Sequence, residues 1–540
     1  MTTQPHAFLT IDHGSATVSV ALIGRAGGAW RLIGSLSIPT GGDLDPAVDL
    51  LLERTRAADA GLADAIGIAG LHRDQLPRLE VRSRRPRRIA VVAGSERTLA
   101  GLVATAGRSG WRTTGASAET TDPLAMSRLL LDRDIAAIVV GAGDPPRADE
   151  RGAIRELATL VAAVAIRRPE IPIILSGSMS EGLDVFGDVA ARPGEVMLAP
   201  AAAKASAGGD PDAEDPLADL LLELALPADD PRRALGAGTR ALADVLDRRV
   251  EAIVLGHDAG ARAVAIPAAG GRPSSVRLAV VPSAAVAPDD PDDAVVDGVL
   301  TWITVPADRH RVRDRMRELR IAPWSDAAGE GSALRMAAAR AALVRLGAAT
   351  TRFDDGPVPD LIVVASGVWT SVPAPAVSLA HIDVLRRPGA SLYALDHARL
   401  LGALGAIPDA GERRVLFSDL VDDLLAPLGS VVTPAGLRAG RSAGSVVVHA
   451  SDGTNELELM PGGLELVDLP PGATAVAEFM FRDRVRLGGR GRHFAVDVAG
   501  GLGGLVVDLR DVPLRLPDRA DRRRDLLTAW QSSLWAGSES

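Results

Sequence analysis

The stretch that decides the fold is AFLTIDHGSATVSVALIG, residues 7–24. An apolar run ends at Asp12, a turn of small residues follows, and alternating apolar residues then resume, which predicts two strands joined by a hairpin. Residues 250–267, VEAIVLGHDAGARAVAIP, repeat this pattern with Asp258 before the turn. Small turn residues let backbone N–H groups approach a phosphate, and an Asp at a strand end can hold water on Mg²⁺. The repeat therefore predicts two related halves that bind a nucleotide between them.

Composition limits the function classes. A chain of 540 residues is too long for one core, so we expect two to four domains. The net charge of −10 argues against nucleic acid or an anionic membrane as the main partner. The absence of cysteine excludes disulfides and thiolate sites. With no secretory signal and no apolar stretch long enough to span a bilayer, we expect a cytoplasmic protein.

The spacing of strands and helices predicts four regions. Residues 1–70 form the first part of one α/β lobe, and residues 71–205 alternate short apolar strands with helices, as in a Rossmann-like parallel sheet. Residues 206–430 complete the lobes, and residues 431–540 predict a β-barrel or sandwich with a closing helix. The basic cluster at residues 82–88 is interpreted as a solvated linker.

In order and spacing, these segments resemble the MutL/GlmL family, the glutamate-mutase-associated proteins of the actin-like ATPase superfamily. Asp12 to Thr17 matches the family's first phosphate hairpin, and VLGHDAGARAVAI matches the second. IVVGAGDPPRADE, residues 138–150, is similar to the family's Gly-Gly-Thr-Asp-Gly-Gly-Asn stretch. DLIVVASGVWTSVP, residues 360–373, is similar to its adenosine-side strand. The resemblance covers nearly the whole chain.

The resemblance implies an actin-like, ribonuclease H-like two-lobed α/β ATPase fold with an inserted Rossmann-like module and a C-terminal all-β domain. It implies ATP or ADP with Mg²⁺ as cofactors, Asp12 as the catalytic residue, and Asp12 and Asp258 at the metal. The nucleotide-binding residues that it implies are Gly14, Ser15, Thr17, Asp144, Asp258, Gly260, Arg262, Ser366 and Gly367. The implied function is an ATP-binding, chaperone-like reactivating protein for a cobalamin-dependent carbon-skeleton mutase.

The second hairpin departs from the family pattern and supports an alternative. After Asp258-Ala259-Gly260 the hydroxyl residues and the second acidic residue of the family are missing. Arg262 is expected either to pair with phosphate in place of Mg²⁺ or to form a salt bridge with Asp12 or Asp258. The alternative function is a catalytically inactive pseudo-ATPase that serves as a protein-interaction scaffold. Whether the chain hydrolyses ATP, and its oligomeric state, stay open at this stage.

Overall fold

A computed structural model describes residues 6–142, 150–177, 196–199, 215–270, 272–322, 329–365, 367–369, 372–451 and 453–534. The chain forms two compact units. Unit 1 comprises Met1–Ser83, Asp229–Leu278 and Ala284–Ser540, and unit 2 comprises Arg84–Ala228 and Ala279–Ser283. No helix in the described ranges combines the length and the apolar character that crossing a membrane requires.

The described strands and helices have the following bounds. The strands are β1 (Ala7–His13), β2 (Thr17–Ala26), β3 (Ala29–Pro39), β4 (Arg78–Arg82), β5 (Arg88–Ala93), β6 (Arg112–Ser117), β7 (Ile135–Gly141), β8 (Ile173–Ser176), β9 (Val196–Ala199), β10 (Val250–Leu255), β11 (Gly260–Ile266), β12 (Ser275–Val281), β13 (Leu361–Ala365), β14 (Gly389–Asp396), β15 (Ala426–Thr433), β16 (Gly444–Ala450), β17 (Gly453–Leu459), β18 (Leu464–Val467), β19 (Thr474–Leu487), β20 (Gly489–Ala499) and β21 (Leu505–Asp508). The helices are α1 (Leu44–Ala58), α2 (Ala60–Ala65), α3 (Glu96–Gly107), α4 (Pro123–Leu130), α5 (Glu150–Arg167), α6 (Pro216–Ala225), α7 (Pro231–Leu246), α8 (Asp293–Trp302), α9 (Arg309–Ile321), α10 (Gly329–Ala349), α11 (Ala374–Val384), α12 (Leu400–Gly405), α13 (Ala410–Leu424) and α14 (Ala520–Ser533).

The first sheet of unit 1 has the order β3-β2-β1-β4. β1 runs antiparallel to β2, with Asp12 opposite Ser19, and parallel to β4, with Asp12 opposite Val81. Alternate apolar residues of β1 and β2 share a core with the apolar side of α1, which explains why this segment folds as a layered α/β element. Because β4 pairs with β1, the insertion expected over residues 71–205 starts only at Arg84 and extends to Ala228.

The second sheet of unit 1 repeats this order. It begins β12-β11-β10-β13-β14, in which β10 is antiparallel to β11 and parallel to β13. An antiparallel meander joined to parallel strands, present twice in one chain, is the core of the actin-like, ribonuclease H-like fold. The two-lobed α/β fold predicted from the repeated hairpins is confirmed.

Unit 2 contains a five-stranded sheet with the order β6-β5-β7-β8-β9. Its neighbouring strands are all parallel. Strands such as β5 and β7 are apolar almost throughout because helices cover a parallel sheet on its faces. The inserted Rossmann-like module is thus confirmed as a parallel α/β sheet.

The C-terminal strands do not form a separate barrel. β15, β21 and β18 continue the second sheet of unit 1 beyond β14, whereas β17-β16-β19-β20 form a four-stranded antiparallel sheet. Apolar side chains of both groups, such as Val432, Val507 and Phe479, share one core. The β region expected over residues 431–540 is therefore a β-sandwich. One of its two layers is the continuation of the second sheet of unit 1.

Candidate nucleotide cleft

The two predicted hairpins lie against each other in unit 1. The turn between β1 and β2 is closed by the Gly14 N–H, which donates to the Thr17 carbonyl oxygen at 3.0 Å. The backbone N–H of His257, just after β10, donates to Ser15 Oγ at 2.8 Å. The two turns that the sequence predicts as phosphate hairpins are therefore in contact. They are hydrogen-bonded directly to each other, with no gap between Ser15 Oγ and the His257 N–H.

Arg399 fills the first hairpin. It follows β14 and precedes α12 in the left-handed backbone region, with a φ of 56°. Its Nη2 donates to the carbonyl oxygens of Asp12 at 2.8 Å and Thr17 at 2.9 Å. Its Nε lies 3.3 Å from the Asp12 carboxylate. A Cβ atom on Gly14 would lie only 2.5 Å from Nη1, so the glycine leaves room for a guanidinium rather than for a phosphate.

Burial and charge act in opposite directions on Asp12. Burial raises the pKa of the Asp12 carboxyl, and the nearby Arg399 guanidinium opposes this rise. Asp396, at the end of β14, is also buried, and burial raises its pKa to about 6. Its two carboxylate oxygens accept the backbone N–H groups of Leu400 and Leu401, each at 2.8 Å, which lowers that pKa in part. The cleft therefore holds these two buried carboxyls beside Arg399, and Arg232, which is paired with the buried Asp230, also lines it.

A second arginine neutralises the aspartate of the other hairpin. Asp258 Oδ1 accepts a hydrogen bond from Arg320 Nη2 at 2.7 Å. Arg320, on α9, also places Nε 2.7 Å from Asp289 and donates through Nη1 to the Ala287 carbonyl oxygen. Gly260, the other predicted residue of this turn, lies where a Cβ would come within 3.0 Å of the Ala284 Cβ. Tight packing thus accounts for the small residue at position 260.

Arg262 lies elsewhere than expected. Its side chain is 1% exposed, and Nε bonds Glu251 Oε1 at 2.8 Å. Nη2 bonds Asp354 Oδ1 at 2.7 Å, and Nη1 bonds Thr350 Oγ1 at 3.0 Å. Neither expected partner, Asp12 or Asp258, is paired with it. The expectation that Arg262 binds phosphate or bridges the hairpin aspartates is therefore corrected, because the buried Glu251 and Thr350 and the exposed Asp354 hold its guanidinium.

The adenosine-side residues pack against the first hairpin. Gly367 follows β13, and a Cβ atom there would overlap Thr17 Oγ1. Thr17 is fully buried, and its Oγ1 has no hydrogen-bond partner in the part of the chain that the structure describes. The remaining predicted residues, Asp144 and Ser366, lie outside the described residues.

The space that remains is small. A cavity of about 50 Å³ is lined by Asp12, Ser15, Asp396 and Arg399 and has room for a few water molecules. In the described ranges no group of three or more His, Cys, Asp or Glu could hold a metal ion. The two carboxylates expected at Mg²⁺ are each paired with an arginine. The part of the site that the structure describes, which leaves out Asp144 and Ser366, does not fit a magnesium nucleotide.

Sequence reasoning missed the arginines that occupy the cleft. Arg399 is 387 positions from Asp12, and no motif surrounds it. Arg320 lies in an arginine-rich helix whose other arginines bind surface carboxylates. Nothing local in the sequence distinguishes these two from their neighbours.

No protein-family model matches the chain. No curated protein is a significant match either. The solved structures with detectable similarity include the Aquifex aeolicus PPX-GPPA enzyme, at 9% identity and a TM-score of 0.18, covering 76% of this chain and 89% of that one. A ROK family transcriptional regulator, a homolog of the E. coli MLC protein, shares 12% identity with a TM-score of 0.21, covering 76% and 80%. The PilM-PilN type IV pilus biogenesis complex gives 12% identity and a TM-score of 0.22, covering 76% and 98%. At these TM-scores the fold assignment rests on the strand order rather than on the superpositions.

Proposed function

We propose that the chain is a catalytically inactive pseudo-ATPase that uses an actin-like fold as a protein-interaction scaffold. One observation carries this proposal. The Arg399 guanidinium lies within the first hairpin, bonded to the Asp12 and Thr17 carbonyl oxygens and paired with the Asp12 carboxylate.

The hydrogen-bond directions support the proposal. A phosphate needs free N–H donors that converge on it. In the first hairpin the Gly14 N–H is used within the turn, and the groups directed at Arg399 are carbonyl oxygens, which repel an anion. In the second hairpin the His257 N–H is used by Ser15. Two donors that a nucleotide would need are therefore already engaged.

The charge balance supports the proposal as well. Asp12 and Asp258 each have an arginine partner, so neither carboxylate is left to attract Mg²⁺. A metal could take the place of either arginine only if the guanidinium left its carboxylate, and the displaced arginine would then lose that partner. The cleft is thus stable when it contains only protein groups.

A second candidate is the nucleotide-dependent function that the MutL/GlmL resemblance implies. The facing hairpins favour it, because Asp12, Ser15 and Thr17 lie where that resemblance expects the phosphates. In that case the chain would be an ATP-binding reactivating protein for a cobalamin-dependent carbon-skeleton mutase. Such a mutase is also the partner that we propose first for the scaffold, on the same resemblance.

A thermal-shift titration with Mg-ATP and Mg-ADP separates the two candidates. A ligand that binds only the folded state raises its stability, by about 2.7 kcal/mol at a hundredfold excess over Kd. We expect the melting temperature to stay constant up to millimolar nucleotide, as it does in a control with Mg²⁺ alone. A rise that follows nucleotide concentration would show that the cleft binds nucleotide, which contradicts the occupied cleft on which the pseudo-ATPase proposal rests and supports the nucleotide-dependent candidate.

A further inference from the structure

The hairpin formed by β19 and β20 ends in a concentration of positive charge. Its sequence over residues 482–492 is RDRVRLGGRGR, and we call this segment the basic hairpin. It contains one acidic residue, Asp483, and five exposed arginines, which are Arg482, Arg484, Arg486, Arg490 and Arg492. The whole chain carries a net charge of −10, so this segment has the opposite sign to the molecule.

The strand geometry places these arginines together. Val485 and Leu487 are buried, and the alternation along β19 therefore turns Arg484 and Arg486 to the solvent side. Alternate side chains on an antiparallel strand are about 7 Å apart. Across the hairpin Arg490 lies directly opposite Arg486. The result is a row of guanidinium groups on one face.

These arginines are not neutralised by the protein. None of the five has an ion-pair or side-chain hydrogen-bond partner among the described residues, and Asp483 is bound instead by Arg441 at 2.7 Å. The arginine-rich α9 shows the opposite arrangement. Its arginines pair with carboxylates, as Arg309 does with Asp297 and Arg315 with Glu318. Arginine abundance in this chain therefore does not by itself leave charges unpaired.

The row of unpaired arginines destabilises the β19–β20 hairpin locally. Like charges directly opposite each other, as at Arg486 and Arg490, destabilise an antiparallel pair. An unfavourable pair of this kind, with no contact in the fold that compensates for its repulsion, is expected at a functional surface. An unpaired row of cations therefore fits an anionic partner.

The surroundings of the row favour an extended acidic polypeptide over a nucleic acid. Stacking with single-stranded bases needs exposed aromatic rings. The hairpin's rings, Phe481 and Phe494, pack edge to face at 6.1 Å, with Phe481 buried. An extended chain that lies across the exposed face has its alternate side chains about 7 Å apart, which is the spacing of the arginines along β19.

We propose that the basic hairpin docks an extended acidic segment of a partner protein. Carboxylates on alternate residues of that segment would face the arginines of β19, since both strands share the same spacing. The inference rests on the proposed function in one respect, namely that a scaffold needs a surface for its partner. The hairpin itself is independent of the state of the nucleotide cleft.

The test uses the full chain and a fluorescein-labelled peptide of alternating Glu and Ser. Fluorescence anisotropy gives its Kd for the wild type and for R482S/R484S/R486S. Three exposed ion pairs together account for about a tenfold loss of affinity, equal to about 1.4 kcal/mol. The matched control is R311S/R315S/R317S on α9, which removes the same charge from paired arginines and should change Kd by less than about twofold. Thermal melting of both variants checks that they are folded.

Each outcome decides the proposal. Binding that the hairpin variant weakens about tenfold and the α9 variant leaves intact supports it. No binding of the peptide, or equal losses in both variants, overturns it. Tighter hairpin-dependent binding of poly(U) RNA, or of phosphatidylserine and phosphatidylcholine vesicles, overturns it in favour of those anions. A nucleotide-induced thermal shift would contradict the occupied cleft of the proposed function without changing any of these results.

Discussion

The Nε atom of Arg399 lies 3.3 Å from Oδ2 of Asp12, and the two side chains are 10% and 11% exposed. This pair joins the end of β1 to the connection between β14 and α12, 387 residues further along the chain. It links the two halves of unit 1 at the first hairpin. Arg399 thus provides, from the protein's own chain, the positive charge that a metal ion bound at Asp12 would otherwise provide.

Replacing Arg399 with Met should destabilise the protein by about 3–5 kcal/mol. Removing one partner of a buried ion pair leaves the other charge uncompensated, and burial already raises the pKa of Asp12. The variant also leaves the Asp12 and Thr17 carbonyl oxygens without the Nη2 donor. Urea unfolding of the wild type and the variant measures the difference.

The double variant D12N/R399M is the control for this experiment. If the loss comes from the unpaired carboxylate, the double variant should be less destabilised than the sum of the two single variants. Strictly additive losses would mean that Asp12 and Arg399 contribute independently and that the ion pair is unimportant.

Arg262 should behave as a structural residue. R262M leaves the buried Glu251 without its partner and is expected to cost about 3–5 kcal/mol in urea unfolding. R262K should recover only part of this, because one ammonium cannot replace a fork that bonds Glu251, Thr350 and Asp354. A fully stable R262M would contradict this role.

The fold was predictable because its signals are local. Two hairpins with the same pattern predicted two related halves, and the runs of β5 and β7 predicted a buried parallel sheet. The domain limits were harder to predict from the sequence. They depend on the pairing of β4 with β1, which is a long-range contact that no periodic pattern in the sequence indicates.

The chemistry of the cleft was not predictable in the same way. Which face of β11 is directed at the cleft depends on tertiary packing. The register of the β10–β11 hairpin, however, indicates a partner for Arg262. Arg262 lies opposite Ile253, so Glu251, two residues earlier on β10, is its diagonal neighbour. By contrast, Arg399 and Arg320 reach the hairpin aspartates from distant segments. Only the structure could identify them as the partners of these aspartates.

His381 should make the protein less stable in mild acid. Burial lowers its pKa to about 4 from the usual 6.5, so the folded state holds a neutral ring while the unfolded chain binds a proton. The stability that this contributes is complete above pH 6.5 and is lost as pH falls towards 4, by about 3 kcal/mol.

H381F tests this pH dependence, because a phenyl ring keeps the packing against Trp369 and Tyr393 without a titrating group. Unfolding free energies measured between pH 6.5 and 4 should fall by about 3 kcal/mol less in the variant than in the wild type. Parallel curves would show that His381 titrates normally in the folded protein.

Gly367 and Thr17 provide a test of whether the cleft is closed in solution. A Cβ at position 367 overlaps Thr17 Oγ1, so G367A should cost about 1–3 kcal/mol by overpacking. T17A removes the overlapping hydroxyl, which has no hydrogen bond among the described residues, and G367A/T17A should therefore recover most of the loss. The matched control is G101A on α3, where a Cβ meets nothing within 4 Å and stability should not fall. If G367A is as stable as the wild type, the first hairpin does not pack against Gly367 in solution, and the cleft has room that the pseudo-ATPase proposal denies it.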